Sequence, residues 1–292
     1  VVDDSAIGTE VLANLIKIYS YWMKETDIDG FRIDTAKHLS PITVSYFCKA
    51  IQAYAVFLGK DEFLLIGEII GDYTLISKYI KPLKTAQGNQ LGVDAVFDFP
   101  MHFILEEVIK GKRPVGELYK TYRKRQRVCI KTNKEESDFV VFADNHDQVG
   151  QKIKTRIGFD SNLQEVITAV GFLYFIGGIP CLYYGTEQQL QGNGDHDCFL
   201  REPLFHPNEL KNHHFQESYL YLNLAKLASI RKRLIRFVYA NLEEDELSID
   251  GMEYKICSEH TEVVYWSKGM GKDKLILLYK GKSSKNSTIS IK

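Results

Sequence analysis

The chain alternates two apolar patterns. Val11, Leu12, Leu15, Ile16, Ile18 and Tyr19 recur at helical spacing, and they are followed by "GFRI", in which Phe31 and Ile33 alternate with glycine and arginine. Recurrence every three or four residues marks a helix, and alternation every two marks a pleated strand. The pattern therefore predicts a helix, a short strand from Gly30 to Ile33, and a second helix over residues 42–57. The cycle then repeats. "FLLIGE", Phe63 to Glu68, is a near-continuous apolar strand ending in an acid, with the helical "YTLISKYI" after it. "LGVDAVFDFP" reads as a strand, followed by amphipathic helical stretches over residues 101–124 broken near Gly111 and Pro114. "DFVVFADNHD", Asp138 to Asp147, is a further buried strand with a polar end, and a helix is expected over residues 163–175. "IPCLYYGTE", Ile179 to Glu187, is the fifth strand, and a long helix over residues 218–233 follows a Gly/Asp loop. Five strands, each followed by a helix, predict a parallel sheet with helices outside it.

The tail changes period. From Arg236 the helical spacing is lost, and "MEYKICSE", "EVVYWSK" and "KLILLYK" alternate between turns such as "GMGKDK". Residues 1–235 are expected to form a (β/α) unit and residues 236–292 a small antiparallel β domain. Between Val166 and Thr186 no residue is charged, but the interruption "GGIP" and the tyrosines after it favour a buried helix and a buried strand over a membrane span.

Composition narrows the function classes. With 45% hydrophobic and 26% charged residues, the 292-residue chain is ordinary globular material. Its 37 basic and 38 acidic residues leave a net charge of -1, so no global field recruits nucleic acid or an anionic membrane. The basic run "KTYRKRQR", Lys120 to Arg127, reads as a solvated helix face and the end of that helix. The five cysteines are scattered, with neither metal-type spacing nor a disulfide framework. The start, "VVDDSAIGTE", has no Met and no charged-then-apolar leader, so any targeting segment is expected upstream or absent. Localisation and oligomeric state are left open.

Four of the five strands end in polar groups: Arg32 and Asp34, Glu68, His146 and Asp147, and Glu187. In a parallel barrel the carboxyl ends of all strands open on one face, so such groups converge despite their separation in sequence. Acids gathered on one face repel and desolvate one another, a cost that usually marks function. Two close carboxyls suit cleavage of an acetal, one attacking the anomeric carbon and the other protonating the leaving oxygen.

"GFRIDTAKH", "IGE", "FADNHD" and "IPCLYYGTEQ" resemble, in order, the successive signatures of the α-amylase family of retaining glycoside hydrolases. The resemblance implies a (β/α)8 barrel followed by a β domain, of which this chain carries the later strands. It makes Asp34 the nucleophile, Glu68 the general acid/base and Asp147 the third carboxylate, which grips sugar hydroxyls. Arg32 and His146 match residues that orient the nucleophile and contact the sugar. Lys37 and His38 match the family's binding of further glucose units on the leaving-group side, which favours a starch-like α-1,4 polymer. Asp197 and Arg201 in "GDHDCFLRE" are spaced like the pair that binds sugar on the non-reducing side, although a surface ion pair reads almost as well. The family's third-strand Asn and His and its calcium-bearing excursion have no match here. The 292-residue chain is therefore expected to be an incomplete enzyme. Chemistry needs no cofactor. Calcium is implied for the full-length protein only, with a main-chain carbonyl near His38 as its one transferable contact and no metal ligand assignable. The expected partner is an α-glucan, with no nucleic acid and no membrane. A transglycosylase and a non-catalytic binding or scaffold relative are the alternatives. A flavin or nicotinamide enzyme is disfavoured because no G-x-G-x-x-G follows a strand.

Overall fold

The computed structural model describes residues 6–80, 92–134, 138–204, 218–240, 252–258, 261–268 and 275–280. In chain order the elements are α1 (Ala6–Thr26), β1 (Gly30–Ile33), α2 (Pro41–Phe57), β2 (Leu64–Gly67), α3 (Tyr73–Ile80), β3 (Ala95–Phe97), α4 (Phe99–Ile109), α5 (Gly116–Thr132) and β4 (Phe139–Phe142). There follow β5 (Lys154–Thr155), α6 (Leu163–Phe175), β6 (Ile179–Cys181), β7 (Gly192–Gly194), α7 (Tyr219–Ala240), β8 (Met252–Ser258), β9 (Thr261–Lys268) and β10 (Leu275–Lys280). Packing divides the chain into Val1–Pro100 with Lys124–Val140, and Met101–Arg123 with Val141–Lys292.

In the first unit β1, β2, β3 and the start of β4 lie side by side in sequence order, each pair parallel. The register is set from the first residue. A Cβ on Gly30 would sit 2.4 Å from the Leu64 carbonyl oxygen, so only glycine lets β1 approach β2 there. α2 begins at Ser40, whose hydroxyl accepts from the Thr43 amide at 3.1 Å, with Pro41 in the first turn. It buries Val44, Phe47, Cys48, Ile51 and Ala55, one stripe at helical spacing, onto Leu65 and Ile69. Val44, Phe47 and Ile51 are each worth roughly 1.5 to 3 kcal/mol when withdrawn from water.

The basic run corrects the sequence reading. Lys120 to Arg127 lies inside α5, which continues to Thr132, and one member points inward. Lys120, Arg123, Lys124 and Arg127 are exposed, but Arg125 is 0% exposed, with its Nη1 3.1 Å from Asp98 Oδ2, which is equally buried. The Tyr73 hydroxyl donates to Asp98 Oδ1 at 2.8 Å. Arg125 falls three residues before Val128 and four before Cys129, both buried, so the helical stripe carries a guanidinium into the core.

In the second unit the end of β4 is followed in strand order by β6. α6 starts from a capping box in which the Asn162 side chain and Glu165 satisfy each other's backbone amides. It buries Val166, Ala169, Val170 and Leu173 in a core shared with Val141, Leu220 and Leu224. β6 is less buried than its apolar sequence predicts: Ile179 is 38% exposed, and among the described residues this strand stands last in the sheet order. The long helix also runs further than expected, to Ala240. β8, β9 and β10 form an antiparallel three-stranded sheet in the order β10-β9-β8, on the segments whose alternation marked them as strands. A two-stranded ribbon of β5 and β7, invisible in the apolar pattern, completes this unit. Among the described residues the five-stranded sheet is open and does not close into a barrel.

Candidate active site

The parallel register of β1 and β2 pairs Ile33 with Gly67, so the next residues, Asp34 and Glu68, leave adjacent strands at the same level. The Glu68 amide extends the ladder by donating to the Ile33 carbonyl at 3.0 Å. Arg32 lies between the two acids. Its Nη1 is 2.8 Å from Asp34 Oδ1 and its Nη2 2.6 Å from Glu68 Oε1, so one planar guanidinium holds both carboxylates. The Phe97 ring, at the end of β3, lies under this guanidinium at 6.0 Å. The two acids differ in access: the Asp34 side chain is 65% exposed and that of Glu68 only 9%. The second Glu68 oxygen accepts the Thr35 amide at 3.0 Å. Thr35 makes that bond in the left-handed region, at φ 48° and ψ 32°, a strained conformation for a β-branched residue. The next residues form a single 3-10 turn, Ala36–His38. On it Lys37 is half-buried, its Nζ 3.5 Å from the Ile70 carbonyl, and His38 is exposed.

The second unit presents another charged group. Asn145 Oδ1 accepts the amides of both Asp147 and Gln148, at 2.8 and 2.6 Å, closing a tight turn in which Gln148 has φ 38°. The Asp147 carboxylate is held by Arg201 Nη2 at 2.7 Å on one oxygen, with His146 Nε2 3.2 Å from the other. Arg201 Nε also donates to the His146 carbonyl at 3.2 Å, and its Nη2 stands 3.9 Å from Asp197 Oδ2. Lys154 Nζ is 3.0 Å from Asp197 Oδ1, and that hydrogen bond holds the Asp197 carboxyl below the usual carboxylate range. Below this turn Asp144 is fully enclosed, accepting from the Ile157 amide at 2.6 Å and the Thr186 hydroxyl at 2.7 Å. Burial raises its carboxyl to about 6. In the same unit the buried His102, stacked on Phe142 with ring centroids 4.5 Å apart, is lowered by burial to about 4.

The first unit thus gathers Arg32, Asp34 and Glu68, with Lys37 and His38 on the adjoining turn. The second gathers His146, Asp147, Asp197 and Arg201. Glu187, expected at the end of the fifth strand, lies beyond β6, which stops at Cys181, and caps its own turn by accepting the Gly185 amide at 2.9 Å. Two participants escaped the sequence reading. Lys154 sits in a stretch without periodicity, where nothing but its charge could draw attention, and Thr35 contributes through its backbone. No group of three or more His, Cys, Asp or Glu among the described residues could hold a metal ion. Calcium takes six to eight oxygen ligands. Beside His38, the carbonyls of Lys37 and Leu39 both accept the Tyr79 hydroxyl, at 3.1 and 2.9 Å. The described residues do not fit a calcium site. No helix among them is long and apolar enough to cross a membrane.

Comparison with known proteins gives this geometry a family. An α-amylase of Streptomyces lividans is 30% identical over 204 residues, covering 67% of this chain and 21% of its own length. A cyclomaltodextrin glucanotransferase of a Bacillus species, strain 38-2, is 26% identical over 235 residues, covering 80% of this chain and 29% of its own. The chain thus spans well under half the length of these curated relatives. A crystal structure of Anoxybacillus α-amylase superposes with a TM-score of 0.66 at 22% identity, over 93% of this chain and 52% of that one, a likeness of TIM-barrel-type fold. Residues 7–219 match the family described as "Alpha amylase, catalytic domain", and the chain belongs to the α-amylase family.

Proposed function

We propose that the protein is a retaining glycoside hydrolase that cleaves α-glucosidic bonds, α-1,4 bonds foremost, in starch-like glucans or malto-oligosaccharides. The observation that carries this reading is the Arg32 guanidinium spanning Asp34 and Glu68 at the level ends of two adjacent parallel strands. In this reading the exposed Asp34 carboxylate attacks the anomeric carbon and the glycosidic C–O bond breaks. Glu68 gives its proton to the departing oxygen, leaving a glycosyl ester on Asp34. Glu68, now a carboxylate, takes a proton from water, whose oxygen displaces the ester and restores Asp34. Asp147, His146, Asp197, Arg201, Lys37 and His38 are proposed to bind sugar hydroxyls. The chain through the end of α7 at Ala240 would be the later part of a (β/α)8 barrel, and β8, β9 and β10 would belong to a small all-β domain after it.

A second reading has support. One matching relative is a cyclomaltodextrin glucanotransferase, so a sugar hydroxyl in place of water at the second step would make the protein a transglycosylase. A non-catalytic barrel relative is disfavoured by the presence of all three carboxylates. The test uses Asp34→Asn and Glu68→Gln in the full-length protein, on starch and on an aryl α-glucoside with an acidic leaving group. Asp34→Asn should abolish turnover of both substrates. Glu68→Gln should lose starch cleavage but still form the glycosyl-enzyme from the aryl substrate, because an acidic leaving group departs without a proton. Equal losses on both substrates in Glu68→Gln would overturn its role as the acid. Product analysis then separates free sugar from transfer products.

A further inference from the structure

The charged group around Asp147 contains a residue with no assigned role. Lys154 stands on β5, paired across the ribbon with Gly194. That ribbon is close-packed, since a Cβ on Gly194 would fall 1.9 Å from the Phe199 ring, and it fixes where the lysine stem begins. The Lys154 side chain is 17% exposed, and its ammonium has three partners for its three protons. It donates to the Asp147 carbonyl at 2.5 Å, to the Gln148 carbonyl at 3.3 Å, and to Asp197 Oδ1 at 3.0 Å. Two consecutive carbonyls thus converge on one cation, a backbone arrangement possible because Gln148 adopts φ 38°. The same two acids also face Arg201, whose Nη2 is 2.7 Å from Asp147 but 3.9 Å from Asp197. Two cations and two carboxylates meet here, with His146 at the other Asp147 oxygen, and Arg201 favours the acid whose carboxylate Lys154 does not touch.

We propose that Lys154 is the positioning residue of this set: its ammonium locks the Asp147 turn and occupies Asp197, which leaves Arg201 committed to the Asp147 carboxylate. The inference rests on the reading of Asp147 as the third carboxylate of the reaction. Without the ammonium, the Asp147 and Gln148 carbonyls lose their common donor, and the turn is held through its amides, by Asn145 Oδ1, without a tie on the carbonyl side that faces Asp197. Asp197, then unpaired, competes for Arg201 at a distance of one side-chain rotation. Asp147 would still be present, but its orientation toward sugar hydroxyls would be lost. A group that matters in the transition state and is misplaced in this way lowers kcat more than it raises KM.

The test is Lys154→Met in the full-length protein, with a crystal structure of the variant and kinetics on starch. Arg201 should swing from Asp147 to Asp197, and kcat should fall ten-fold or more with KM within two-fold of the parent and the melting temperature little changed. Lys154→Arg, which keeps a cation in place, should recover most of the rate. An Arg201–Asp147 pair unchanged in the variant overturns the proposal whatever the protein's activity, so its failure is distinct from failure of the functional reading, which an inactive parent would show. A kcat within two-fold of the parent, or a loss carried wholly by KM, overturns it too. If Lys154→Met does not fold, Lys154→Gln supplies the same measurements. Failure of both to fold while Lys154→Arg folds would make Lys154 a strut of the ribbon and refute the assignment.

Discussion

His102 and Asp144, both buried in the second unit, should give stability opposite dependences on pH. Burial lowers His102 from 6.5 to about 4 and raises Asp144 from 3.8 to about 6. The histidine has the depressed value. Its contribution is fully present above 6.5 and is lost as pH falls toward 4, because the unfolded chain then binds a proton that the folded one refuses. The carboxyl has the raised value. Its contribution is fully present below 3.8 and is lost as pH rises through 6, because the folded form then holds the proton more tightly than the unfolded one. At about 1.36 kcal/mol per decade of affinity, each is worth roughly 3 kcal/mol across its window. Between pH 4 and 6 the two nearly cancel.

His102→Gln removes one side of the balance. At pH 7 the variant loses the stacking on Phe142 and is less stable by a constant amount, within the range of about 0.5 to 3 kcal/mol of ordinary point changes. On acidification from pH 7 to 4 it should gain on the parent by up to about 3 kcal/mol, because it lacks the group that refuses a proton. Urea denaturation at half-unit steps of pH reads the difference directly, and other titrating groups cancel between the two proteins. Parallel stability curves, with a difference constant to within about 0.5 kcal/mol, would refute the reasoning. The converse variant, Asp144→Asn, should lose stability more steeply than the parent on acidification, because the His102 loss is then no longer offset.

Two further perturbations probe the first unit. Arg125→Met strands the Asp98 carboxylate in the core and should cost about 3 to 5 kcal/mol in chemical denaturation. The double variant Arg125→Met, Asp98→Asn should recover part of that, and strict additivity would show that the ion pair is not the cause. Thr35→Asn keeps the amide that serves Glu68 while placing in the left-handed region a residue that tolerates it. Stability should hold or rise by up to about 1 kcal/mol, and a loss beyond 1 kcal/mol would show that the threonine side chain, not the strain, matters.

What could be read from sequence was what local pattern encodes. All five strands of the sheet fall on the apolar runs, the helical interruption falls at Gly111 to Pro114, and α6 has the expected bounds, because period and turn chemistry act over a few residues. Asp34 and Glu68 were legible for the same reason, since each directly follows its strand, whereas β4 and β6 end at Phe142 and Cys181 and leave Asp147 and Glu187 in the turns beyond. The failures share a different cause. Arg125 looks like its exposed neighbours in a basic run until Asp98 and Tyr73 are brought to it from 27 and 52 positions away. Lys154 belongs to no pattern because its partners are backbone carbonyls and a carboxylate supplied by folding. β6 has the composition of a buried strand, but burial depends on neighbours that no single segment contains.

The two charged groups share one construction, and it bears on the proposed chemistry. A chain with net charge -1 has no global field to separate acids, so each close pair of carboxylates carries its own cations: Arg32 between Asp34 and Glu68, and Lys154 with Arg201 between Asp147 and Asp197. A cation that merely neutralised would not need to be a guanidinium. Arg32 reaches both acids through adjacent nitrogens of one rigid plane, so it fixes their spacing as well as their charge. A lysine in its place would supply a point charge with no fixed plane to set that spacing. The unequal exposure then divides the labour. In the proposed reaction Asp34, largely open, would be the one to reach a carbon on a bound sugar, and Glu68, shielded and tied by Thr35, the one to serve the departing oxygen. Under the proposed mechanism two chemically similar carboxyls acquire different roles from what surrounds them, and Arg32→Lys should therefore impair the reaction even though the charge is conserved.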